Sequence, residues 1–328
     1  MMTESLVDAS EATWFAERCA ALVRNVETLI RGKTEIVRLV TVCMAAEGHV
    51  LIDDVPGTGK TSLAKAVANS VAGTMRRIQF TPDLLPTDVT GVQVWNPEKR
   101  IFEFQAGPIF GNIILADEVN RASPKTQSAL LEVMEEQQVT VDGQPLAVPR
   151  PFVVVATQNP VEHGGTYDLP EAQIDRFMMR LTLGYPDHAA EVEVLANRRG
   201  GQSAAAVTPV LTTADVERMI GIARRVHLSA QLLGYIVTLA DATRRRPEVR
   251  LGVSTRGALA LAAAAQAHAA ADGRTYATPD DVKALAPSVL AHRVLLRPEA
   301  EMSGLRAVDL LGETLASVPV PNQRLAMR

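Results

Sequence analysis

The chain predicts an α/β fold: a parallel sheet sandwiched between helical layers, followed by a smaller all-α unit. Three observations carry this. Strand-like runs recur at 49–53, 76–80, 113–116, 152–156 and 178–183, with helical segments between them. All but 76–80, which alternates, are mostly continuous apolar runs, as in strands buried on both faces of a parallel sheet and joined by right-handed crossovers. Directly after the first run comes Asp54-Val55-Pro56-Gly57-Thr58-Gly59-Lys60-Thr61, and then a helix-like pattern from Ser62. Strand, glycine-bearing loop and helix form the context that a phosphate-binding loop requires. From Ala189 onward the sequence turns Ala-, Leu- and Arg-rich, with helical periodicity and no strand pattern.

With 328 residues the chain is long for one core, and two domains are expected. The boundary is placed near Pro186. Residues 1–186 would hold amino-terminal helices and the αβα domain, 187–318 the helical domain, and 319–328 a loosely ordered tail. The 33 basic and 37 acidic residues leave a net charge of −4, which argues against a nucleic-acid-coating protein. Cys19 and Cys43 are isolated, so no disulfide framework or zinc site is expected, in keeping with a reducing compartment. No basic-apolar leader pattern opens the sequence and no apolar run reaches membrane-spanning length, so a cytoplasmic protein without a membrane span is expected.

Taken in order, residues 11–46 show helical spacing through Trp14, Phe15, Cys19, Leu22 and Val26, then Ile36, Val37, Val40 and Cys43, with a break at Ile30-Arg31-Gly32-Lys33. In the glycine loop, Gly57 and Gly59 let successive N–H groups turn toward phosphate oxygens. The next helix adds its positive N-terminal end. Lys60 can reach the β- and γ-phosphates of a nucleotide, and the Thr61 hydroxyl can ligate Mg²⁺. Asp54 stands where the full motif has glycine. Ile113-Ile114-Leu115-Ala116 delivers Asp117 and Glu118 at a strand end, where α/β sheets place ligands. Asp117 would hold Mg²⁺ with Thr61, and Glu118 would polarise an attacking water. Alone, that run reads equally well as a strand-end turn. Asn159, after the run 152–156, would reach the water or the γ-phosphate if its strand lies between those of the loop and the acidic pair; otherwise it is an Asn-Pro turn. Arg176, before the last run, can meet developing phosphoryl charge, or else is a surface arginine paired with Asp175 or Glu171.

In the second half, helix starts are marked by Thr212-Thr213-Ala214-Asp215, Ser229, Ser254-Thr255 and Thr278-Pro279-Asp280-Asp281. The segment 198–208 reads as a loop, Arg244-Arg245-Arg246 as a solvated helix end, and 258–271 as a packed helix. The six histidines show no metal-ligand spacing, and His163 reads as a structural loop residue.

The set Pro-Gly-Thr-Gly-Lys-Thr, Ala-Asp-Glu-Val-Asn-Arg-Ala, Ala-Thr-Gln-Asn-Pro and Leu-Pro-Glu-Ala-Gln-Ile-Asp-Arg-Phe resembles the MoxR family of AAA+ ATPases. Phe80-Thr81-Pro82-Asp83-Leu84-Leu85-Pro86-Thr87-Asp88, Gly107-Pro108-Ile109-Phe110 and Leu183-Gly184-Tyr185-Pro186 agree, so the likeness runs from about residue 28 to about residue 300. It implies an AAA+ P-loop domain with a helical lid, ATP and Mg²⁺ as cofactors, and a homo-oligomeric ring, commonly a hexamer. Pro56, Gly57, Thr58, Gly59, Lys60, Thr61 and Ser62 would form Walker A; Asp117 and Glu118 would form Walker B. Asn159 resembles the sensor 1 residue and Arg176 the arginine finger that acts on the adjacent subunit's ATP. Arg256 resembles the sensor 2 arginine that ties the lid to the γ-phosphate. Ile30 and Gly32 resemble the segment lining the adenine pocket. Stretches 92–107 and 138–143 resemble hairpin insertions. The implied activity is ATP hydrolysis coupled to remodelling or maturation of partner proteins, chaperone-like, with metal-cofactor insertion and a von Willebrand factor A domain partner among the expectations. A chelatase-type motor subunit and a nucleic-acid motor are the alternatives, although the mild acidity argues against stable nucleic-acid binding. A non-hydrolysing switch is disfavoured by the intact Lys60, Asp117 and Glu118.

Overall fold

The computed structural model describes residues 6–141, 143–160, 166–185, 188, 191–192 and 207–321. Two helices, α1 (Ala9–Glu27) and α2 (Thr34–Ala45), precede β1 (Val50–Asp53) and α3 (Lys60–Asn69). Then come β2 (Val71–Ala72), β3 (Met75–Gln79), α4 (Pro86–Thr90), and a hairpin of β4 (Gly91–Asn96) and β5 (Ile101–Ala106). After β6 (Ile113–Asp117) and α5 (Pro124–Glu136) lie a second hairpin, β7 (Gln138–Val141) with β8 (Gln144–Ala147), then β9 (Val153–Gln158), α6 (Glu171–Ile174) and β10 (Met179–Leu181).

All five runs read as strands from the sequence belong to one parallel sheet of order β10-β1-β9-β6-β3. Alternate residues of each strand feed two different cores. Val50, Ile52, Leu115, Val153 and Val155 join one, together with α1, α2 and α3. Leu51, Ile114, Ala116, Val154 and Ala156 join the other, beneath α5 and with Phe152 and Phe177. Burial on both faces is why these strands are continuously apolar. The alternating β3 lies at the sheet edge, and its Arg76 and Arg77 are exposed. Both hairpins form as the alternation predicts. At the base of the first, a Cβ on Gly107 would stand 2.3 Å from the Val89 carbonyl, so only glycine fits the close approach of the two strand ends.

The second half contains β11 (Leu211–Thr212), α7 (Thr213–Arg225), α8 (Ala230–Arg244), β12 (Val249–Leu251), α9 (Thr255–Ala271), α10 (Pro279–Leu290), β13 (Leu295–Leu296), α11 (Pro298–Met302) and α12 (Ala307–Ser317). Each signposted start is a cap: Thr212 with Asp215 in a capping box, Ser229 to Leu232, Ser254 to Gly257, and Thr278 with Asp281. The sequence showed no strand here, yet β11 pairs with β2 and β12 with β13. Strands of two or three residues are too short to leave a periodic signature. The arginine run is also more engaged than a solvated helix end: Arg244 donates to the Val253 carbonyl at 2.8 Å and Arg246 to Glu313 at 2.7 Å. The 258–271 stretch is a packed helix, and none of the helices among the described residues is long and apolar enough to cross a membrane. Pro186, His163, Asp142, most of 198–208 and residues 322–328 lie outside the described residues.

The first core does not stop at the sheet. It runs from α1 and α2 into α7, α8, α9 and α10. Arg225 pairs with Glu11 at 2.5 Å, Arg38 pairs with Asp272, and the Arg218 guanidinium stacks 4.1 Å from the Trp14 ring. The amino-terminal helices therefore bridge the sheet and the helical half.

Candidate active site

The loop after β1 turns through Gly57 and Gly59 at φ +87° and +93°. A Cβ at either would meet nothing within 4 Å, so backbone conformation rather than crowding demands glycine. Gly59 is the N-cap of α3, whose first-turn N–H groups lack intrahelical acceptors and can face an anion. Lys60 donates to the loop carbonyls of Asp54 and, at 3.1 Å, Val55. Burial lowers its pKa below the usual lysine value, against the opposing pull of Asp54, Asp53, Asp117 and Glu118. Thr58 donates its hydroxyl to the Val55 carbonyl at 3.2 Å.

Asp54 has a structural task. One carboxylate oxygen accepts the Val55 N–H at 2.7 Å and the other the Gly184 N–H at 2.6 Å. Lys33 donates to the carbonyls of Leu183 at 2.5 Å and Tyr185 at 2.9 Å. Lys33, which ends the break just after Gly32 at φ +68°, therefore meets residues 183–185, and these in turn meet the loop entrance at Asp54.

Opposite Lys60, Asp117 is 5% exposed and gathers four donors. The Thr61 hydroxyl lies 3.2 and 3.3 Å from its two oxygens, Thr157 donates at 2.6 Å, and Arg77 donates through Nη2 at 2.8 Å and through Nε at 3.3 Å. A hydroxyl and a carboxylate converging at a helix N-terminus form an oxygen donor set that suits Mg²⁺. Arg77 balances the Asp117 charge in this structure. Ser62 follows in the same first turn of α3.

Glu118 sits at φ +58°, a left-handed conformation that costs a non-glycine residue about 1 kcal/mol. Its N–H donates to Thr157 Oγ1 at 2.9 Å, and its Oε2 accepts from Gln79 at 2.9 Å and Arg121 at 3.1 Å. Asn159 follows β9, which does lie between β1 and β6, and is 4% exposed. Its carbonyl accepts from Asn120 Nδ2 at 2.9 Å and its N–H donates to Asn120 Oδ1 at 3.4 Å. The sheet thus brings together Lys60, Thr61, Asp117, Glu118 and Asn159.

Five contributors were missed from sequence: Thr157, Asn120, Arg121, Arg77 and Gln79. Thr157, Asn120 and Arg121 lie inside motifs already singled out. Arg77 and Gln79 are polar positions of the alternating run, and only the register that pairs Gln79 with Asp117 places them beside the acidic pair.

Arg176 and Arg256 lie elsewhere. Arg176 Nη2 is 3.0 Å from one oxygen of Glu135, and Arg256 pairs with the other. Neither partner proposed for Arg176 is used: Asp175 is held by Arg293 and Glu171 by Arg250. With Glu47, His49 and Arg293, the two arginines line a cavity of about 200 Å³. The N–H of Met178 reaches the His49 carbonyl at 2.9 Å, where β1 begins. The phosphate loop lies at the other end of that four-residue strand, about 13 Å away at ~3.3 Å per residue. The structure does not bring either arginine to the Lys60 cluster of its own chain.

A parallel sheet carrying a glycine loop after one strand, an acidic pair ending a second and a buried asparagine after the strand between them, followed by helices, defines a P-loop protein of the AAA+ class. Comparison with known proteins agrees. The model of the ATPase family associated with various cellular activities (AAA) matches residues 49–179, and that of the AAA lid domain matches 241–314. YeaC of Bacillus subtilis is 47% identical over 93% of this chain and 96% of its own. Chaperone MoxR1 of Mycobacterium tuberculosis is 39% identical over 90% and 81%. A crystal structure from Cytophaga hutchinsonii superposes with a TM-score of 0.88 at 36% identity, covering 95% of this chain and 98% of that one. The chain belongs to the MoxR family of AAA+ ATPases.

Proposed function

We propose that the protein hydrolyses ATP as a ring of identical subunits, a hexamer as in related rings, and uses the cycle to remodel partner proteins. The observation that carries this is the division of the chemistry between opposite ends of the sheet. Lys60, Thr61, Asp117, Glu118 and Asn159 stand at one end, and Arg176 with Arg256 at the other. One chain cannot surround a γ-phosphate with both sets, whereas neighbouring chains in a ring can.

In this reading the glycine loop and the start of α3 cradle the phosphates, with Ile30 and Gly32 beside the base. Lys60 exchanges the carbonyls of Asp54 and Val55 for phosphate oxygens. Bound Mg²⁺, held by Thr61 and Asp117, would neutralise phosphate charge. Glu118 leaves Gln79 and Arg121 to accept a proton from the attacking water, which Asn159 helps to orient. Arg176 and Arg256 leave Glu135 for the developing charge on the neighbour's nucleotide, and their release from the same carboxylate couples assembly to turnover.

The mycobacterial relative is named a chaperone, which supports a chaperone-like role. A von Willebrand factor A domain protein is the partner the family resemblance favours, and maturation of a metal-dependent client is one form that role would take. Residues 1–186 are proposed as the nucleotide domain with its leading helices, 187–318 as the lid and 319–328 as a tail. Two buried, unpaired cysteines among the described residues fit a cytoplasmic setting.

The test is ATP turnover per subunit against protein concentration, with Glu118→Gln as the blank. A rate that rises with concentration and vanishes in the variant supports the proposal. A flat rate from a protein that sizes as a monomer contradicts it.

A further inference from the structure

Arg293 closes a single helical turn after α10, and its side chain is 2% exposed. Its Nε donates to Asp175 Oδ1 at 2.6 Å, which neutralises it. Its other donors go further: Nη2 reaches the carbonyls of Asp175 at 2.9 Å and Phe177 at 2.8 Å, and Nη1 that of Met178 at 3.1 Å. Charge compensation needs only the carboxylate. The additional bonds fix the backbone on both sides of Arg176.

The same pair also touches the start of α9, which carries Arg256. A Cβ on Gly257 would lie 2.8 Å from Arg293 Cδ, so the helix packs directly on the arginine stem. The second oxygen of Asp175 accepts from the hydroxyl of Ser254, the α9 N-cap, at 3.4 Å. Arg176 and Arg256, which are 80 positions apart in sequence, are thus tied to one buried ion pair as well as to Glu135.

We infer that Asp175 and Arg293 are positioning residues that hold Arg176 and Arg256 as one two-pronged unit, so that both arginines reach the neighbouring subunit's nucleotide together. This rests on the shared-site reading above. Neither residue touches nucleotide. Their effect is on geometry, where misplacement by about 1 Å can cost 100-fold in rate.

The test uses the full chain carrying Asp175→Asn, with Arg293→Lys as the second variant; the asparagine keeps the shape, and the lysine keeps the charge but loses the fork. Ring size, affinity for a fluorescent ATP analogue and kcat are measured, and each variant is then mixed with Glu118→Gln protein. The expected result is native assembly, nucleotide affinity within about twofold of wild type, kcat reduced about tenfold or more, and recovery in mixed rings. Recovery is expected because Glu118→Gln subunits present intact arginines to intact Walker motifs. A merely structural role would not give such recovery. Native kcat, a parallel loss of nucleotide affinity, or failure of both variants to fold would overturn the inference. A parallel mixture of Arg176→Ala with Glu118→Gln separates the two claims. If it recovers while the Asp175 and Arg293 variants do not, the positioning role is wrong. If it too stays silent, the shared-site reading fails and this inference with it.

Discussion

At the scale of single residues, the acidic pair is organised by Thr157, whose hydroxyl donates to Asp117 and accepts from the Glu118 N–H. That one group orients one carboxylate and supports the left-handed backbone of the next residue. Thr157→Val keeps the volume and removes both bonds, leaving the Glu118 N–H without its acceptor. The expected cost is about 1–2 kcal/mol of stability and a kcat reduced by about tenfold to 100-fold, with ATP affinity far less affected; chemical denaturation and steady-state kinetics check this. Asp54 illustrates the limit of a motif. From sequence its position reads as a departure from the motif that the strand end tolerates, and the fold adds the reason: its carboxylate is committed to backbone N–H groups of Val55 and Gly184. Arg176 illustrates another: sequence offers its neighbours Asp175 and Glu171 as partners, and the fold supplies Glu135 from a different helix.

At the scale of elements, His49 joins three. It precedes β1, Nε2 lies 3.1 Å from the Met134 carbonyl of α5, and Nδ1 accepts the Val154 N–H of β9 at 3.1 Å. That geometry requires a neutral ring protonated on Nε2. Burial drives its pKa down to about 4, a shift only partly offset by the Met134 bond and by Glu47. The folded value lies below the unfolded value of about 6.5. The stabilisation is therefore complete above pH 6.5 and is lost as pH falls toward 4. Denaturation at pH 7.5 and pH 5 should show wild type losing about 1–2 kcal/mol more than His49→Gln over that interval; equal losses would mean His49 is not held neutral. His292, with its pKa pushed to about 3 by burial, adds in the same direction in both proteins.

The elements also show what sequence could carry. Continuous apolar runs announce two-sided burial, and caps announce helix starts, because both are local patterns. Pairing is not local. Arg77 and Gln79 face Asp117 and Glu118 only through the β3–β6 register. The strands β11, β12 and β13 exist because distant segments offer them partners.

At the scale of the whole molecule, the helical half is not an appendage. It shares a core with α1 and α2, and through Arg293 it grips the segment carrying Arg176. Through Glu135 and Arg293 both arginines are therefore tied to the seam between the sheet and the helical half. The measurement that tests this account most directly is complementation in mixed rings. Arg176→Ala subunits keep an intact Lys60–Asp117–Glu118 site, and Glu118→Gln subunits keep intact arginines. The account predicts that each is inactive alone and that an equal mixture, allowed to exchange subunits, regains a substantial fraction of wild-type turnover. A mixture that exchanges subunits and remains as inactive as its parents would contradict it.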